Sequence, residues 1–504
     1  MNLSLLLDMA ADGFGDRVLI GRRDGGITAD RLRELSHSGA RAIIAAGADS
    51  VVYLGVNGPM FPIALFAAAR AGVPLVPINY RLGADQLDAL LANHPNALGL
   101  GGPNEVDRLR AAGIKSHTMD DWLTQLSESA GTDTGIDSGP DEPADTDAPA
   151  VLIYTSGTTS TPKGVLLRHH NLVSYVFGTV EFAGSDSDEA TLISVPPYHI
   201  AAVANAISNL YGGRRSIVLE QFTAEQWLEI VRSEQVTHAL VVPTMLARIM
   251  DATEDTAQVP SLRSLAYGGA SMPPHIIERA LRRWPQVGFV NAYGLTETSS
   301  TIAVLGPDDH RAALASDDPA TRARLGSAGQ VVPMIELQIR DDDGAVLPVG
   351  EIGRIWVRGE QVSGEYAGSG PAVDAEGFFD TRDRGYLDAE GYLFIAGRAD
   401  DTIIRGAENI APAEIEDVLL RHDDVEDAVV VGIPDDEWGQ HIEAAVVARA
   451  GSKLDPEELR AHVRAQLRGS KTPDRIVIWP DLPRTETGKI VRRAVVEQIL
   501  AERG

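Results

Sequence analysis

The feature that most restricts the fold is a rhythm. Residues 51–56 (VVYLGV) are a short apolar run of strand length, 61–71 an apolar-faced stretch of helix length, and 74–78 a second short run. Parallel neighbours cannot be joined by a tight turn, so strand-length runs separated by helix-length segments point to crossover helices. The pattern returns at 216–219, 224–234, 239–242, 273–283 and 287–290. It predicts an α/β fold whose mostly parallel, helix-covered sheets hold a ligand at their strand ends. From 331 to 398 the character changes to short runs separated by Asp343-Gly344, Glu376-Gly377 and Glu390-Gly391, and an antiparallel β unit is expected there. The final stretch reads as a small α+β unit, with its elements over 413–420, 428–433, 443–448, 456–468, 474–479 and 489–501. The expected domains are therefore 1–398, including the β unit, and 399–504. Residues 129–148 and 306–324 read as polar connections.

Immediately after the apolar run 151–154 comes TSGTTSTPKG, residues 155–164. Thr155, Ser156, Gly157, Thr158 and Thr159 are small or hydroxylic, and Lys163 brings an ammonium. Backbone N–H groups reach an anion only where side chains are small, hydroxyls add donors, and a lysine serves as a point charge for phosphate oxygens. The stretch reads as a phosphate cradle. It is not a Walker loop, because Pro162 precedes the lysine and Gly164 stands where Ser or Thr would meet magnesium.

Composition narrows the partners. The chain of 504 residues carries 44 basic and 72 acidic residues, a formal charge of −28, which opposes binding to nucleic acid or anionic membrane. Small-molecule partners are expected. The absence of cysteine excludes disulfides, thiolate catalysis and cysteine metal sites. The opening residues 1–9 have no basic stretch and too short an apolar run for a signal or a membrane span, so a soluble, cytoplasmic protein with no integral membrane segment is expected. Only five of the basic residues are lysines, Lys115, Lys163, Lys453, Lys471 and Lys489. In a chain that uses arginine for generic charge, a retained lysine marks a place where a compact, flexible ammonium suits better than a planar fork.

A second constellation, NAYGLTE at 291–297, follows the strand-like 287–290. Tyr293 offers a flat face to a purine, Gly294 a close backbone approach, Thr296 a hydroxyl, and Glu297 an oxygen for magnesium. Taken alone, a threonine-capped strand-to-helix junction is the commoner explanation of such a stretch; together with the cradle the balance turns to the ligand reading. Residues 265–270 (LAYGGA) end another strand in small residues, where carbonyls could meet an adenine amino group or simply form a glycine turn.

These stretches, with Pro197-Tyr198-His199, Thr381-Arg382-Asp383, residues 397–403 (GRADDTI) and residues 483–489 (PRTETGK), stand in the order and spacing of the adenylate-forming superfamily, which the chain resembles over essentially its whole length. The resemblance implies a large N-terminal domain, a small C-terminal lid, and two half-reactions. A carboxylate attacks the α-phosphorus of ATP and expels pyrophosphate; a thiol then attacks the acyl adenylate and expels AMP. By resemblance Lys489 is the lid lysine bridging carboxylate and α-phosphate, Lys163 belongs to the phosphate cradle and Glu297 to magnesium. Asp383 takes the ribose hydroxyls with Arg398 assisting, while Gly269, Ala270, Asn291, Ala292, Tyr293, Gly294 and Thr296 complete the ATP site. Asp400 is the hinge, and Gly406, Ala407 and Glu408 lie on the segment that meets coenzyme A. His199, Ala201, Ala202, Tyr267, Gly268 and Ser299 are implied to line the acyl pocket, and their small, uncharged character points to a hydrophobic acid, a fatty acid first.

Three positions depart from the superfamily pattern, namely Ser160, Arg382 and Ala407, each where glycine is usual. The leading expectation is an AMP-forming acyl-CoA synthetase that uses ATP, magnesium and coenzyme A. A ligase loading the phosphopantetheine of a carrier protein, and a nucleotide-binding homologue without turnover, are the alternatives. A homodimer is open to the chain, whose oligomeric state the sequence does not state.

Overall fold

The computed structural model describes residues 1–130, 145–155, 162–252, 259–405, 408–435, 439–467, 469–485 and 488–503. Two sheets follow the rhythm. In the first, Arg215–Val218, Ala190–Ile193, His238–Val241, Ser264–Gly268 and Gly288–Leu295 lie parallel in that spatial order. In the second, Pro149–Thr155, Leu75–Ile78, Val51–Leu54, Leu98–Gly101 and Lys115–Thr118 do the same.

Successive side chains on a strand face opposite ways, and here both faces are buried. Ile193 and Tyr53 enter one apolar cluster shared by the two sheets, whereas Leu192, Val241 and Phe289 enter a second and Val52, Leu54 and Val76 a third. Helix Met60–Ala71 belongs to the shared cluster and is buried from Met60 through Ala69, as a helix that is apolar on every side must be. Helices Ala224–Ser233, Pro243–Ala252 and Pro274–Arg283 cover the far face of the first sheet. Helices thus lie outside and between the two sheets.

The antiparallel section is an extension of the first sheet. Ser300–Leu305 runs antiparallel to Gly288–Leu295, and Gly329–Val331, Tyr392–Arg398, Phe379–Leu387, Gly353–Arg358 and Glu336–Arg340 follow outward in antiparallel order. Within it, Glu365–Tyr366 leaves to pair with Lys163–Arg168 of the second sheet, so residues 361–367 tie the two sheets together. The connection at 306–324 is more ordered than its polarity implies, forming helices Pro307–Ala315 and Pro319–Ala323. Proline opens each helix, Asp309 and Asp318 accept from backbone N–H groups of their first turns, and buried His310 anchors the first from within the core. Of the acidic stretch 129–148, residues 131–144 lie outside the described residues.

After Arg398 the chain builds a core of its own. Strands Val425–Asp435, Gly439–Ala448 and Arg475–Trp479 form a three-stranded sheet, with helices Pro412–Leu420 and Pro456–Gln466 packed on one face and Arg492–Ala501 on the other. Among the described residues no helix is long and apolar enough to cross a membrane.

Candidate active site

The stretch 155–164 is a hairpin loop, since Pro149–Thr155 and Lys163–Arg168 are antiparallel with Thr155 opposite Lys163. Ser156, Gly157, Thr158, Thr159 and Ser160 lie outside the described residues. The stems are set: the Thr155 hydroxyl donates to the Lys163 carbonyl at 3.4 Å, and the Lys163 ammonium sits 5.6 Å from the centroid of the Tyr366 ring, within cation–π range.

Beside it, parallel pairing sets Tyr267 against Asn291 and Gly268 against Ala292. This brings the strand end carrying Gly268, Gly269 and Ala270 next to Asn291, Ala292 and Tyr293. A Cβ on Gly268 would fall 2.3 Å from the Ala292 carbonyl oxygen, so the two strand ends close only around glycine. Asn291 donates to the Ser327 carbonyl at 2.9 Å. At Gly294 the chain is pressed against its own return strand, and the turn Thr296–Thr298 follows. Ser299 and Ser300 then take φ of 55° and 115°, strained values for residues with side chains that persist only where neighbours dictate them. Glu297 occupies this turn and accepts a hydrogen bond from the Tyr366 hydroxyl at 2.9 Å.

A third group forms where Phe379–Leu387 pairs with Tyr392–Arg398 and places Asp383 opposite Arg398. Arg398 donates to Asp383 Oδ1 at 3.0 Å and the Tyr293 hydroxyl to Oδ2 at 2.6 Å. Burial, and then the Asp383 charge, push the Tyr293 phenol well above its ordinary value, so it stays a donor. Tyr293 therefore orients the carboxylate by its hydroxyl. Arg382 adopts φ of 61°, which explains why glycine is the usual residue there, and its guanidinium lies 4.0 Å from Asp400.

Lys489 faces this group from the C-terminal unit. It precedes helix Arg492–Ala501 and ends a tight hairpin in which Arg484 bridges to Ile490 and Gly488 has φ of 78°. A Cβ on Gly488 would lie 2.4 Å from Thr244 Oγ1, so the hairpin docks against the start of helix Pro243–Ala252. The ammonium is accessible to water yet sits in a cleft walled by protein. That surrounding, with Arg398 next, lowers its pKa, while Asp383 and Asp401 oppose the shift. Lys489 and Arg398 thus converge on the buried Asp383 carboxylate, with Asp401 also acting on Lys489, a cluster of cations suited to an incoming phosphate.

His199 holds the N-cap position of helix Ile200–Gly212 without a side-chain cap bond, and its ring lies tilted against that of Tyr198 with centroids 4.8 Å apart. Ala202 borders a narrow apolar crevice with Ile20, Phe61, Ile193, Ala206 and Val218, and Ala201 packs beside the same cluster. Ser299 is fully buried, and its hydroxyl has no partner among the described residues. Tyr267 is a correction. It shares the inward face of its strand with Leu265, is fully buried, and its hydroxyl meets His310 Nε2 at 2.8 Å; Ala266 and Gly268, on the other face of that strand, are half-buried. Gly406 and Ala407 lie outside the described residues, and Glu408 stands opposite Arg405 in a short hairpin.

Glu297 retains an oxygen beyond the one bonded to Tyr366, and no group of three metal-ligating side chains exists among the described residues. One carboxylate suits magnesium that takes its other ligands from a nucleotide and water. Tyr366 and Thr244 were missed in the sequence, because each matters through pairing with a distant segment and neither lies in a motif.

The chain is similar to known proteins over most of its length. The family model described as AMP-binding enzyme matches residues 7–367, and that of the AMP-binding enzyme C-terminal domain matches 414–489. A feruloyl-CoA synthase of Amycolatopsis sp is 35% identical over 486 residues, covering 94% of each chain. The fatty acid–[acyl-carrier-protein] ligase ScoC of Streptomyces coeruleorubidus is 33% identical over 488 residues, covering 93% of this chain and 90% of that protein. Among solved structures, o-succinylbenzoate CoA synthetase from Bacillus subtilis, in complex with its acyl-adenylate intermediate, superimposes with a TM-score of 0.82 over 97% of both chains at 27% identity.

Proposed function

The chain belongs to the AMP-binding enzyme family, the AMP-forming CoA ligases of the adenylate-forming superfamily, and on that premise we propose that it activates a hydrophobic carboxylic acid with ATP and transfers the acyl group to coenzyme A. The observation that carries this reading is the convergence of Lys489, from the C-terminal unit, on the Asp383–Arg398 pair of the larger one.

Bringing a carboxylate to a polyanion is repulsive, and the residues answer that repulsion one by one. Lys489 neutralises charge between carboxylate and α-phosphate, and Lys163 with the cradle holds the outer phosphates. Asp383, oriented by Tyr293 and Arg398, accepts from the ribose hydroxyls. Glu297 holds magnesium, which when bound offsets phosphate charge. The carboxylate oxygen bonds to phosphorus as pyrophosphate leaves with its electron pair. In the second step the thiol sulfur bonds to the acyl carbon, its proton departs, and AMP leaves.

For that step the C-terminal unit turns about Asp400, in a chain divided at Arg398, and replaces Lys489 by the segment 405–409. The acid is bound beside His199, Ala201, Ala202, Gly268 and Ser299, with Tyr267 behind the wall. The mostly small, uncharged character of these residues supports an uncharged tail, and a fatty acid is the first candidate. Use of ATP and coenzyme A by a cysteine-free chain supports the cytoplasm as its compartment. The test is pyrophosphate release across a panel of aliphatic, aryl and charged acids, each with coenzyme A, with a phosphopantetheinylated carrier protein, or with neither. Acid-dependent release with apolar acids and product formation with coenzyme A are expected; release driven only by charged acids, or transfer only to the carrier, contradicts the reading.

A further inference from the structure

We propose that Tyr366 is a positioning residue that keeps the Glu297 carboxylate and the Lys163 ammonium apart and correctly aimed. The phenol does this by donating to one and offering its ring to the other. The inference rests on the assignment of Glu297 to magnesium and Lys163 to phosphate.

Two opposite charges near one polyphosphate would collapse into an ion pair if nothing stood between them, and each would then be spent on the other. Here they make no direct salt bridge. The Tyr366 hydroxyl donates to Glu297 Oε1 at 2.9 Å, and Lys163 lies over the ring at 5.6 Å from its centroid. The ring is placed by the strap 361–367, which grips both sides. Toward Glu297, Gln361 is 1% exposed and donates to the carbonyls of Thr298 at 3.0 Å and Thr301 at 2.9 Å. The Ser363 and Gly364 N–H groups donate to the Glu297 carbonyl at 2.9 and 3.2 Å. These contacts hold the strained Ser299–Ser300 backbone that a free turn would relax. Toward Lys163, Tyr366 pairs with Val165 and the Ala367 N–H donates to the Gly164 carbonyl at 2.8 Å. The free carboxylate oxygen is thereby directed, and the ammonium stays mobile enough to follow a phosphate.

The experiment is equilibrium binding of ATP to the full-length enzyme at stepped MgCl2, which needs no acid substrate. Tyr366→Phe keeps the ring and removes the hydroxyl; Tyr366→Leu removes both. The Phe variant should raise the MgCl2 concentration for half-maximal ATP binding by about tenfold, as loss of a hydrogen bond to a charged group implies, with ATP affinity at saturating MgCl2 unchanged. The Leu variant should also weaken ATP binding at saturating MgCl2. Glu297→Gln separates the two claims. If it shifts the MgCl2 dependence while Tyr366→Phe does not, the positioning role is overturned and the functional reading stands. If Glu297→Gln itself shifts nothing, the functional reading fails and this one with it. Equal effects of Phe and Leu on every parameter would reduce Tyr366 to packing. The Phe variant decides the matter even if the Leu variant does not fold, because it preserves the ring.

Discussion

Lys489→Ala separates the two half-reactions, and the structure sets its size. The hairpin carrying Lys489 is held by backbone: Thr485 N–H to the Lys489 carbonyl at 2.7 Å, Gly488 N–H to the Thr485 carbonyl at 2.8 Å, and Lys489 N–H to Thr485 Oγ1 at 3.1 Å. Among the described residues no bond uses the ammonium, so the fold should be affected by no more than about 0.5 kcal/mol. Catalysis is another matter. A unit charge about 4 Å from a phosphoryl oxygen at an effective dielectric near 20 is worth about 4 kcal/mol, and loss of one such stabilising donor costs roughly 10² to 10³ in rate. Acid-dependent ATP–pyrophosphate exchange should fall by about that factor. Thioester formation from a supplied acyl adenylate and coenzyme A, with Lys489 swung away, should stay within about twofold. Equal loss of both activities would refute the division of labour, and so would loss of neither.

Because burial and Arg398 lower the Lys489 pKa, the free enzyme loses the active ammonium at lower pH than an ordinary lysine would. The alkaline limb of kcat/KM for ATP should therefore begin early, lie higher in kcat once phosphate charge is bound, and vanish in Lys489→Arg; a limb that persists in that variant has another origin. Asp400→Pro should spare pyrophosphate exchange and depress thioester formation, measured separately, and unchanged overall turnover would mean that no rotation occurs there. Tyr267→Phe leaves His310 Nε2 without its 2.8 Å partner in the core, costing about 1–3 kcal/mol in chemical denaturation with the order of acid preference unchanged; altered acid preference would return Tyr267 to the pocket wall. Gly294→Ala sets a Cβ 1.7 Å from the Ser300 carbonyl oxygen and should lower both melting temperature and exchange, by about 1–3 kcal/mol in stability; a variant as stable as the parent contradicts the packing of that turn.

What was legible in the sequence was whatever local pattern dictates. The parallel strands followed from apolar runs such as 51–56, and the catalytic candidates from motifs whose small residues have steric reasons, as Gly268 against Ala292 shows. The misreadings have equally local causes. The resemblance implies Tyr267 on the pocket wall, although alternation puts it with buried Leu265, and the element expected over 489–501 divides into the end of a hairpin closed by the Arg484–Ile490 bridge and a helix from Arg492. The connection 306–324 looked structureless since its anchor, His310, bonds to Tyr267 far away in the chain. Tyr366 was beyond reach for the same reason. Its importance arises only when 365–366 pairs with 163–168, and long-range pairing leaves no periodic trace in either segment.

The claim beneath all of this is that the acid's own oxygen attacks the α-phosphorus of ATP. It is tested most directly by supplying an accepted acid labelled with heavy oxygen at both carboxylate positions and analysing the AMP released in a single turnover with coenzyme A. Transfer of one labelled oxygen to each AMP is predicted; AMP free of label, with both labelled oxygens elsewhere, would contradict it.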